Sequence, residues 1–377
     1  MSLTITKNSE KSVKTRHRLL DETLTADWNR IQPSFQKLFY ELWYWKFVDP
    51  VSQVGFCINF HLSSNRRHAA QATSDLNYTG EVSALLFNGD ETVVGAQQLF
   101  QSDLCSILDP NNIQIGSCSF SPEGSKGKLI PQVQGQPSIE WDIQIEKRSH
   151  EYSFNLIPPL LILLGLVKNR AVTPFLNVGA TGTLRLGSKE LELKTLSLNN
   201  AHGMLGHASG PRNGHSWIWG HSNYFLDEAG TSVDLVFEGL TARAWLIGSV
   251  PTPALSTFCI VYLGEQIRFT SLRGLFSNRA QMNKENLWTW TFTATQGEWR
   301  LRGKMSANPN SFAHFEMADT DESFIHYHES RFADLEIEIF KSQKLLGRFF
   351  CPKVAAFETV ERKHDQSIKS AFESGPF

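Results

Sequence analysis

The sequence predicts an all-β protein built from two antiparallel β-barrel domains. Segments rich in β-branched and aromatic residues recur at roughly regular spacing along the whole chain, and many of them alternate apolar with polar residues. Turn residues such as Gly-Asp, Pro-Asn-Asn and Pro-Glu-Gly separate these segments, while amphipathic helices are rare. About ten such segments lie on either side of residue 230, enough in each half to close a barrel that holds one small ligand.

Length, charge and cysteine usage narrow the class of protein. With 377 residues, the chain is long enough for two domains. A net charge of −2 without a basic tract argues against nucleic-acid binding. The five cysteines include no C-x-x-C pair, and the first residues lack the apolar core of a signal peptide. We therefore expect reduced thiols and a cytoplasmic location.

Composition divides the chain into four parts. Residues 1–25 are polar and form a lead-in, residues 26–230 form the first β-domain, residues 231–360 the second, and residues 361–377 a polar tail. We expect a pocket within one of the two domains or between them.

The first strong signal along the chain is a hairpin. L-W-Y-W-K-F-V and V-G-F-C-I-N-F-H-L indicate two strands that are joined by a turn at Asp49-Pro50. Glu41 stands at the mouth of this hairpin beside several aromatic residues. Burial there would raise the pKa of its carboxyl and allow it to act as an acid.

Further strands are predicted in both halves. In the first half they cover residues 81–88, 92–100, 113–120, 127–134, 138–147, 152–156, 179–186 and 189–198. Between them, residues 158–168 indicate a short helix or lid, or else a core strand. The longest apolar run, residues 156–167, is too short to span a bilayer. In the second half the strands cover residues 232–237, 241–247, 255–263, 265–270, 287–295, 299–305, 312–317, 331–341 and 344–350.

The stretch 199–225 is the part of the sequence that is densest in chemically useful residues. It contains His202, His207, His215 and His221 within about twenty positions, interspersed with glycines. From residue 216 the pattern has period two, so one strand face would present Trp217, Trp219, His221, Asn223 and Phe225. Such a face suits a pocket for an apolar or aromatic molecule. The alternative is an ordinary core face whose histidine is satisfied by a neighbour.

A second histidine cluster lies near residue 320. His326 and His328 alternate and would share a strand face, where they could bind a metal together with Glu316 or with a histidine of the first half. No H-E-x-x-H motif accompanies them, so structural or solvated histidines remain the alternative.

Two motifs together resemble a known group of proteins. E-L-W-Y-W-K, from Glu41, and R-N-G-H-S-W-I-W-G-H-S-N-Y-F, from Arg212, resemble segments of the tocopherol cyclase and carotenoid 1,2-hydratase group of double-lipocalin proteins. The resemblance implies two lipocalin-like barrels and an enzyme that cyclises or hydrates polyenes or prenylated substrates without a redox cofactor. The matching positions are Glu41, Trp43, Tyr44, Trp217, Trp219 and Asn223. Tocopherol cyclases have acidic residues and a tryptophan just before the W-x-W strand, where this chain has G-H-A-S-G, so we expect a different proton donor or a different reaction.

These observations lead to a hypothesis of function. We expect a cofactor-independent cyclase or hydratase that folds an apolar isoprenoid or polyene in an aromatic pocket and assists it with an acid. The candidate acids are Glu41, His221 and His202. The candidate substrate-binding residues are Trp43, Tyr44, Trp217, Trp219, Asn223, His207, His215 and His314. No metal or other cofactor is expected, and a peripheral membrane contact would serve uptake of the hydrophobic substrate.

Two other functions remain open. The protein could carry a lipophilic small molecule without turning it over, or it could be a metal-dependent enzyme that uses the histidine clusters. Replacement of Glu41 or His221 by an isosteric amide or glutamine would distinguish a carrier from an enzyme, because only an enzyme would lose turnover.

Overall fold

A computed structural model describes residues 38–64, 78–89, 92–109, 112–130, 137–148, 152–187, 194–245 and 250–363. Nearly all regular structure in these ranges is antiparallel β, which confirms the predicted all-β class. The predicted lead-in, residues 1–25, and most of the predicted tail lie outside the described residues.

The described strands of the first sheet all precede residue 211. They are β1 (Phe39–Asp49), β2 (Val54–Ser64), β3 (Thr79–Asn88), β4 (Thr92–Gln101), β5 (Cys105–Asp109), β6 (Asn112–Ile115), β7 (Cys118–Ser121), β8 (Gly124–Leu129), β9 (Ser138–Lys147), β10 (Phe154–Asn155), β11 (Arg170–Gly187) and β12 (Lys194–Gly210). Their order is β4-β3-β2-β1-β12-β11-β9-β8-β7-β6-β5, with β10 paired to β11. Strands β3 and β4 approach β6, β8 and β9, so the sheet curls into a nearly closed barrel.

The predicted hairpin forms the first two strands of this barrel. β1 and β2 pair from Phe39 with Ser64 to Asp49 with Val54. The Asp49 carboxylate accepts hydrogen bonds from the amides of Val51 and Ser52, at 2.9 and 3.2 Å, as an Asx turn does. Its other oxygen accepts from the amide of Asn199, which ties the turn to β12. The aspartate at the end of β1 thus fixes both the turn and its neighbour.

The second sheet contains the described strands from residue 216 onward. They are β13 (Ser216–Ser222), β14 (Phe225–Leu226), β15 (Ser232–Val233), β16 (Leu235–Arg243), β17 (Leu255–Tyr262), β18 (Glu265–Phe269), β19 (Arg279–Asn283), β20 (Trp288–Gln296), β21 (Trp299–Ala307), β22 (Ala313–Ala318), β23 (Phe324–Lys341) and β24 (Lys344–Glu361). The main path is β18-β17-β16-β13-β24-β23-β21-β20-β19, and β22 pairs with β23.

The chain passes from one sheet to the other between Gly210 and Ser216. Strand β13, which carries Trp217 and Trp219, therefore belongs to the second sheet, although the predicted domain limit at residue 230 assigns it to the first domain. Alternation along a strand predicts which residues share a face, but it does not predict the partner strand.

Two strands of the second sheet are longer than predicted. β23 begins seven residues before residue 331, and β24 continues eleven residues beyond residue 350. Their pairing contains irregularities between Ser330 and Leu335, and Lys353 has a φ of +50°, so bulges interrupt the period of two. Because these irregularities and Pro352 break the period-two pattern, the sequence pattern does not predict the extensions of the two strands.

Short helices complete the described structure. α1 (Pro159–Leu163) lies in the apolar run for which a helix, a lid or a strand was predicted, and α2 (Leu272–Ser277) follows β18. Single turns of 3₁₀ helix occupy Ser102–Leu104 and Pro309–Ser311. Among the described residues, no helix reaches the length and hydropathy required to cross a bilayer.

Candidate functional site

A cavity of about 170 Å³ lies between the two sheets. Strands of both sheets form its walls, and the segment around α1 borders it. The apolar wall residues are Leu42, Leu156, Ile157, Leu161, Val167, Leu240, Leu255, Leu275, Phe315 and Met317. A largely apolar cavity with a few polar groups is typical of a site for a small lipophilic molecule.

The alternation of β1 decides which of its side chains reach the cavity. Trp43, Trp45 and Phe47 point into the core of the first barrel. The residues between them, among which are Tyr44 and Lys46, therefore face the opposite way and line the cavity. One strand thus supplies both the barrel core and the cavity wall.

The buried charged groups of the wall form an ion-pair cluster centred on Lys46. The Lys46 Nζ atom lies 2.6 Å from Glu358 Oε2 and 3.1 Å from Glu329 Oε1, and all three side chains are buried. The Trp217 indole N–H donates a 2.7 Å hydrogen bond to Glu358 Oε1. Because Lys46 belongs to the first sheet and both glutamates to the second, the cluster joins the two sheets across the cavity.

Aromatic rings and a second cation surround this cluster. The Lys46 ammonium lies 4.4 Å from the centroid of the Trp219 ring and 5.0 Å from that of Tyr44, within the range of cation–π attraction. The fully buried guanidinium of Arg331 contacts Glu329. The two cations balance the two carboxylates, which reduces the penalty for burying each charge.

Burial shifts the proton affinities of these groups. It lowers the pKa of Lys46, although the neighbouring Glu358 carboxylate opposes the shift. It raises the pKa of Tyr44 well above the usual value, and the nearby Glu238 and Glu358 add to that effect. Lys46 is therefore a stronger acid than an exposed lysine, and Tyr44 retains its proton.

Glu238 on β16 is a buried carboxyl behind the cavity wall. Thr173 Oγ1 and Trp219 Nε1 donate hydrogen bonds to its Oε1 atom, at 2.6 and 2.9 Å. Among the described residues, its Oε2 atom has no hydrogen-bond partner. Burial raises the pKa of Glu238 to about 7, while the two hydrogen bonds partly oppose this. The carboxyl therefore exchanges a proton near neutral pH.

Of the residues predicted from sequence, Tyr44, Trp217 and Trp219 line the cavity. Glu41 and Trp43 instead face the first barrel. The Glu41 carboxylate lies 3.0 Å from His207 Nε2, and the His207 ring packs 5.3 Å from that of Trp43. The structure thus brings Glu41, Trp43 and His207 together, but in the barrel core and away from the cavity wall.

The other two candidate acids also lie outside the described cavity wall. The His221 ring stacks on Trp219 and is 2.9 Å from the carbonyl oxygen of Leu176. His202 Nδ1 lies 2.8 Å from an Arg148 nitrogen and 3.1 Å from the Asn223 carbonyl oxygen. Burial lowers the pKa of His221 to about 3 and that of His202 to about 4, so both are neutral at pH 7.

The remaining predicted binding residues occupy separate places. Asn223 donates from its amide to Asn177 Oδ1 and to two backbone carbonyls, including that of Gly203. His215 packs against the Trp245 ring at 4.9 Å. His314 lies beside His326 on the second sheet, on the face of β22 opposite Phe315 and Met317.

Sequence reasoning missed Lys46, Glu238, Glu329, Glu358 and Arg331. Lys46 lies within the first motif, and its period-two spacing from Tyr44 indicates that both side chains share one strand face. Glu329 and Glu358 are register partners in the β23–β24 hairpin, but they lie on the parts of these strands that extend beyond the predicted limits. Lys46 contacts both from the first sheet, and that contact is not encoded in any local pattern.

The residues around the cavity combine exposed apolar side chains with positive charge. The exposed large apolar residues in the segments that contribute to the wall are Leu163, Leu164, Leu166, Val250, Leu272 and Phe276. The described parts of segments 156–170, 239–255 and 271–284 contain no aspartate or glutamate, but they include Lys168, Arg243, Arg273 and Arg279, all exposed. We call this region the rim.

Comparison with solved structures finds similar folds. An AttH protein from Nitrosomonas europaea is similar over 86% of this chain and 93% of its own, with a TM-score of 0.47 and 8% identity. Kievitone hydratase from Nectria haematococca is similar over 85% of this chain and 88% of its own, with a TM-score of 0.46 and 8% identity.

No protein-family model matches the chain, and no curated protein sequence matches it.

Proposed function

We propose that the protein is a hydratase or cyclase that acts on an apolar isoprenoid or polyene in the cavity between the two sheets. The observation that carries this proposal is the Lys46–Glu358–Glu329 cluster, which places a buried ammonium and two carboxylates on the wall of a largely apolar cavity. Burial of such a cluster is costly, and hydrophobic residues could fill the same space. Its position beside the cavity therefore favours a chemical role.

The geometry supports polarisation of a substrate oxygen. An N–H of Lys46 would donate to a carbonyl conjugated with a double bond, and Trp219 and Tyr44 would stabilise positive charge that develops along the chain. The apolar wall would hold the substrate in one folded shape, which by itself contributes a large part of the rate of a cyclisation.

Hydration and cyclisation differ in what attacks the polarised double bond. In hydration a water molecule adds to the β-carbon, a carboxylate of the cluster accepts a proton from that water, and a proton returns to the α-carbon. The net change is addition of one water. In cyclisation an internal carbon forms the new bond, and the product is an isomer of the substrate. Glu358 and Glu329 are the candidate bases in the first case.

This assignment differs from the acids expected from sequence. Glu41 is hydrogen-bonded to His207 in the barrel core, and His202 and His221 are neutral at pH 7. We therefore assign the polarising role to Lys46 in place of Glu41, His202 and His221. The tryptophans 217 and 219 and Tyr44 keep the substrate-binding role expected of them.

The experiment uses a charge-balanced double variant, Lys46→Met/Glu358→Gln. It removes one cation and one anion and leaves the Arg331–Glu329 pair, so that it avoids the unpaired charge of a single variant. An organic extract of the purified wild-type protein supplies any lipophilic compound that is bound to it. This compound, together with a panel of carbonyl-bearing prenylated polyenes, is then incubated with each protein. Mass spectrometry detects isomers or products heavier by one water.

We expect the double variant to lose turnover by about 100-fold or more, because removal of an acid or base costs about that much. Binding, followed by tryptophan fluorescence, should change much less. The matched control is Lys126→Met/Asp142→Asn, which removes an exposed pair at 2.8 Å and should leave both properties unchanged. A wild type that binds the compounds and converts none of them would support the carrier instead.

A further inference from the structure

Three metal-binding side chains meet on the second sheet, apart from the cavity. In the pairing of β22 with β23, Glu316 lies opposite His326 and His314 opposite His328. One donor atom from each of His314, Glu316 and His326 lies within 4.8 Å of the other two. Imidazole nitrogens and carboxylate oxygens are ligands that zinc and related divalent ions prefer.

The donor spacing matches that of a tetrahedral ion. His314 Nε2 and His326 Nδ1 are 3.3 Å apart, and His326 Nδ1 is also 3.3 Å from Glu316 Oε1. Metal–ligand bonds of about 2.0 to 2.1 Å in a tetrahedron place neighbouring donors about 3.3 to 3.4 Å apart. Two edges of the ligand triangle therefore already have the required length, and Glu316 is exposed, so its carboxylate can adjust.

Neighbouring side chains hold the two histidine rings in place and balance a nearby positive charge. The His314 and His326 rings are nearly parallel, at 18°, and the His314 ring packs 5.1 Å from that of His328. On the neighbouring strand β24, Glu361 is the register partner of His326, and it forms a 2.8 Å ion pair with Lys284. The Glu361 carboxylate offsets the charge of Lys284 near a bound cation.

We propose that His314, Glu316 and His326 bind one zinc-class divalent ion, with a fourth position open to water. The ion would link β22 to β23 on the face that points away from the cavity. Because Phe315 and Met317 alternate with the ligands on β22 and line the cavity, the ion would hold this part of the wall in place. Its role is to support the wall, and it takes no part in the reaction.

The test is a titration of the metal-free, full-length protein. Calorimetry measures the binding of zinc, and visible absorption measures the binding of cobalt. Two variants, Glu316→Gln and His326→Gln, each remove one ligand. Their matched controls are Glu336→Gln, an exposed strand glutamate of the same sheet, and His215→Gln, a histidine outside the cluster. Circular dichroism establishes that each variant is folded.

We expect one zinc per chain in the wild type and in both controls, and cobalt absorption bands of tetrahedral type. Each ligand variant should bind at least tenfold more weakly, since even the loss of an outer hydrogen-bond partner costs about 10- to 100-fold in affinity. Zinc should also raise the unfolding temperature of the wild type but not of the ligand variants. Absence of stoichiometric binding by the wild type, or equal affinity in folded ligand variants and controls, would overturn the proposal.

Discussion

At the scale of single residues, the buried carboxyl of Glu238 makes the stability of the protein depend on pH. Glu238 has a pKa raised to about 7 by burial, whereas the same carboxyl in the unfolded chain has a value near 4.5. The stability that belongs to its protonated form is fully present below pH 4.5. It is lost as the pH rises through 7, because the unfolded chain releases the proton first.

We therefore expect Glu238→Gln to stabilise the protein increasingly as the pH rises from 4.5 to 7. Glutamine keeps an oxygen that can accept from Thr173 and Trp219, but it has no proton to release. The gain should approach about 3 kcal/mol above pH 7, given about 1.4 kcal/mol per unit of pKa shift. Urea unfolding at pH 5 and pH 8 measures it. An equal effect at both pH values, or the same trend in the exposed control Glu336→Gln, would contradict the assignment.

At the scale of elements, the pairing of β1 with β12 shapes the cavity wall through one glycine. Gly206 is the register partner of Tyr44 and is buried. A Cβ atom at Gly206 would overlap the phenol ring of Tyr44. The glycine therefore allows the ring to lie flat over β12, where it borders both the cavity and the Lys46 ammonium.

We expect Gly206→Ala to displace the Tyr44 ring, to destabilise the protein by about 1 to 3 kcal/mol, and to weaken ligand binding in the cavity. The matched control is Gly214→Ala, also on the cavity wall, where the nearest atom to a new Cβ is 3.5 Å away in the Trp217 ring. Urea unfolding and fluorescence titration with an extracted lipophile measure both effects. If the two alanine variants behave alike, the glycine has no such role.

Element by element, the sequence predicts local pairing well and distant pairing poorly. The β1–β2 hairpin and the common face of Trp217 and Trp219 follow from a period of two and from turn residues within a few positions. The contact of Lys46 with Glu358 joins residues 312 positions apart, and no local pattern encodes it. Aromatic or histidine-rich neighbours do not distinguish the candidate acids from Lys46 and Glu329, which follow W-Y-W and H-Y-H. Only the fold shows which of these charges reach the cavity.

At the scale of the whole molecule, we propose that the rim around the cavity contacts an anionic membrane. Exposed Leu164 and Phe276 would enter the interface, and the basic residues of the rim would meet the lipid headgroups. This arrangement suits the peripheral membrane contact that we expect for uptake of a lipophilic substrate. Each basic residue near such a surface contributes about 1 kcal/mol, and salt weakens the attraction.

We expect the protein to sediment with vesicles that contain phosphatidylglycerol, and to do so less as the salt concentration rises. Leu164→Ser/Phe276→Ser should reduce binding severalfold, since each substitution removes an exposed apolar group from the interface. The control is Leu104→Ser, an exposed leucine in the 3₁₀ turn between β4 and β5 and outside the rim. Equal binding by all three proteins, or none by the wild type, would contradict a membrane-facing rim.

The bridge between Lys46 and Glu358 also has a consequence for synthesis. Lys46 lies on the first described strand and Glu358 on the last, so a ribosome that adds about 5 to 20 residues per second makes the second partner roughly 15 to 60 s after the first. During that interval the first barrel presents to water the face that later borders the cavity. The ammonium on this face keeps it hydrated while the rest of the chain is made, and the proposed site is incomplete until the last described strand pairs with its neighbours.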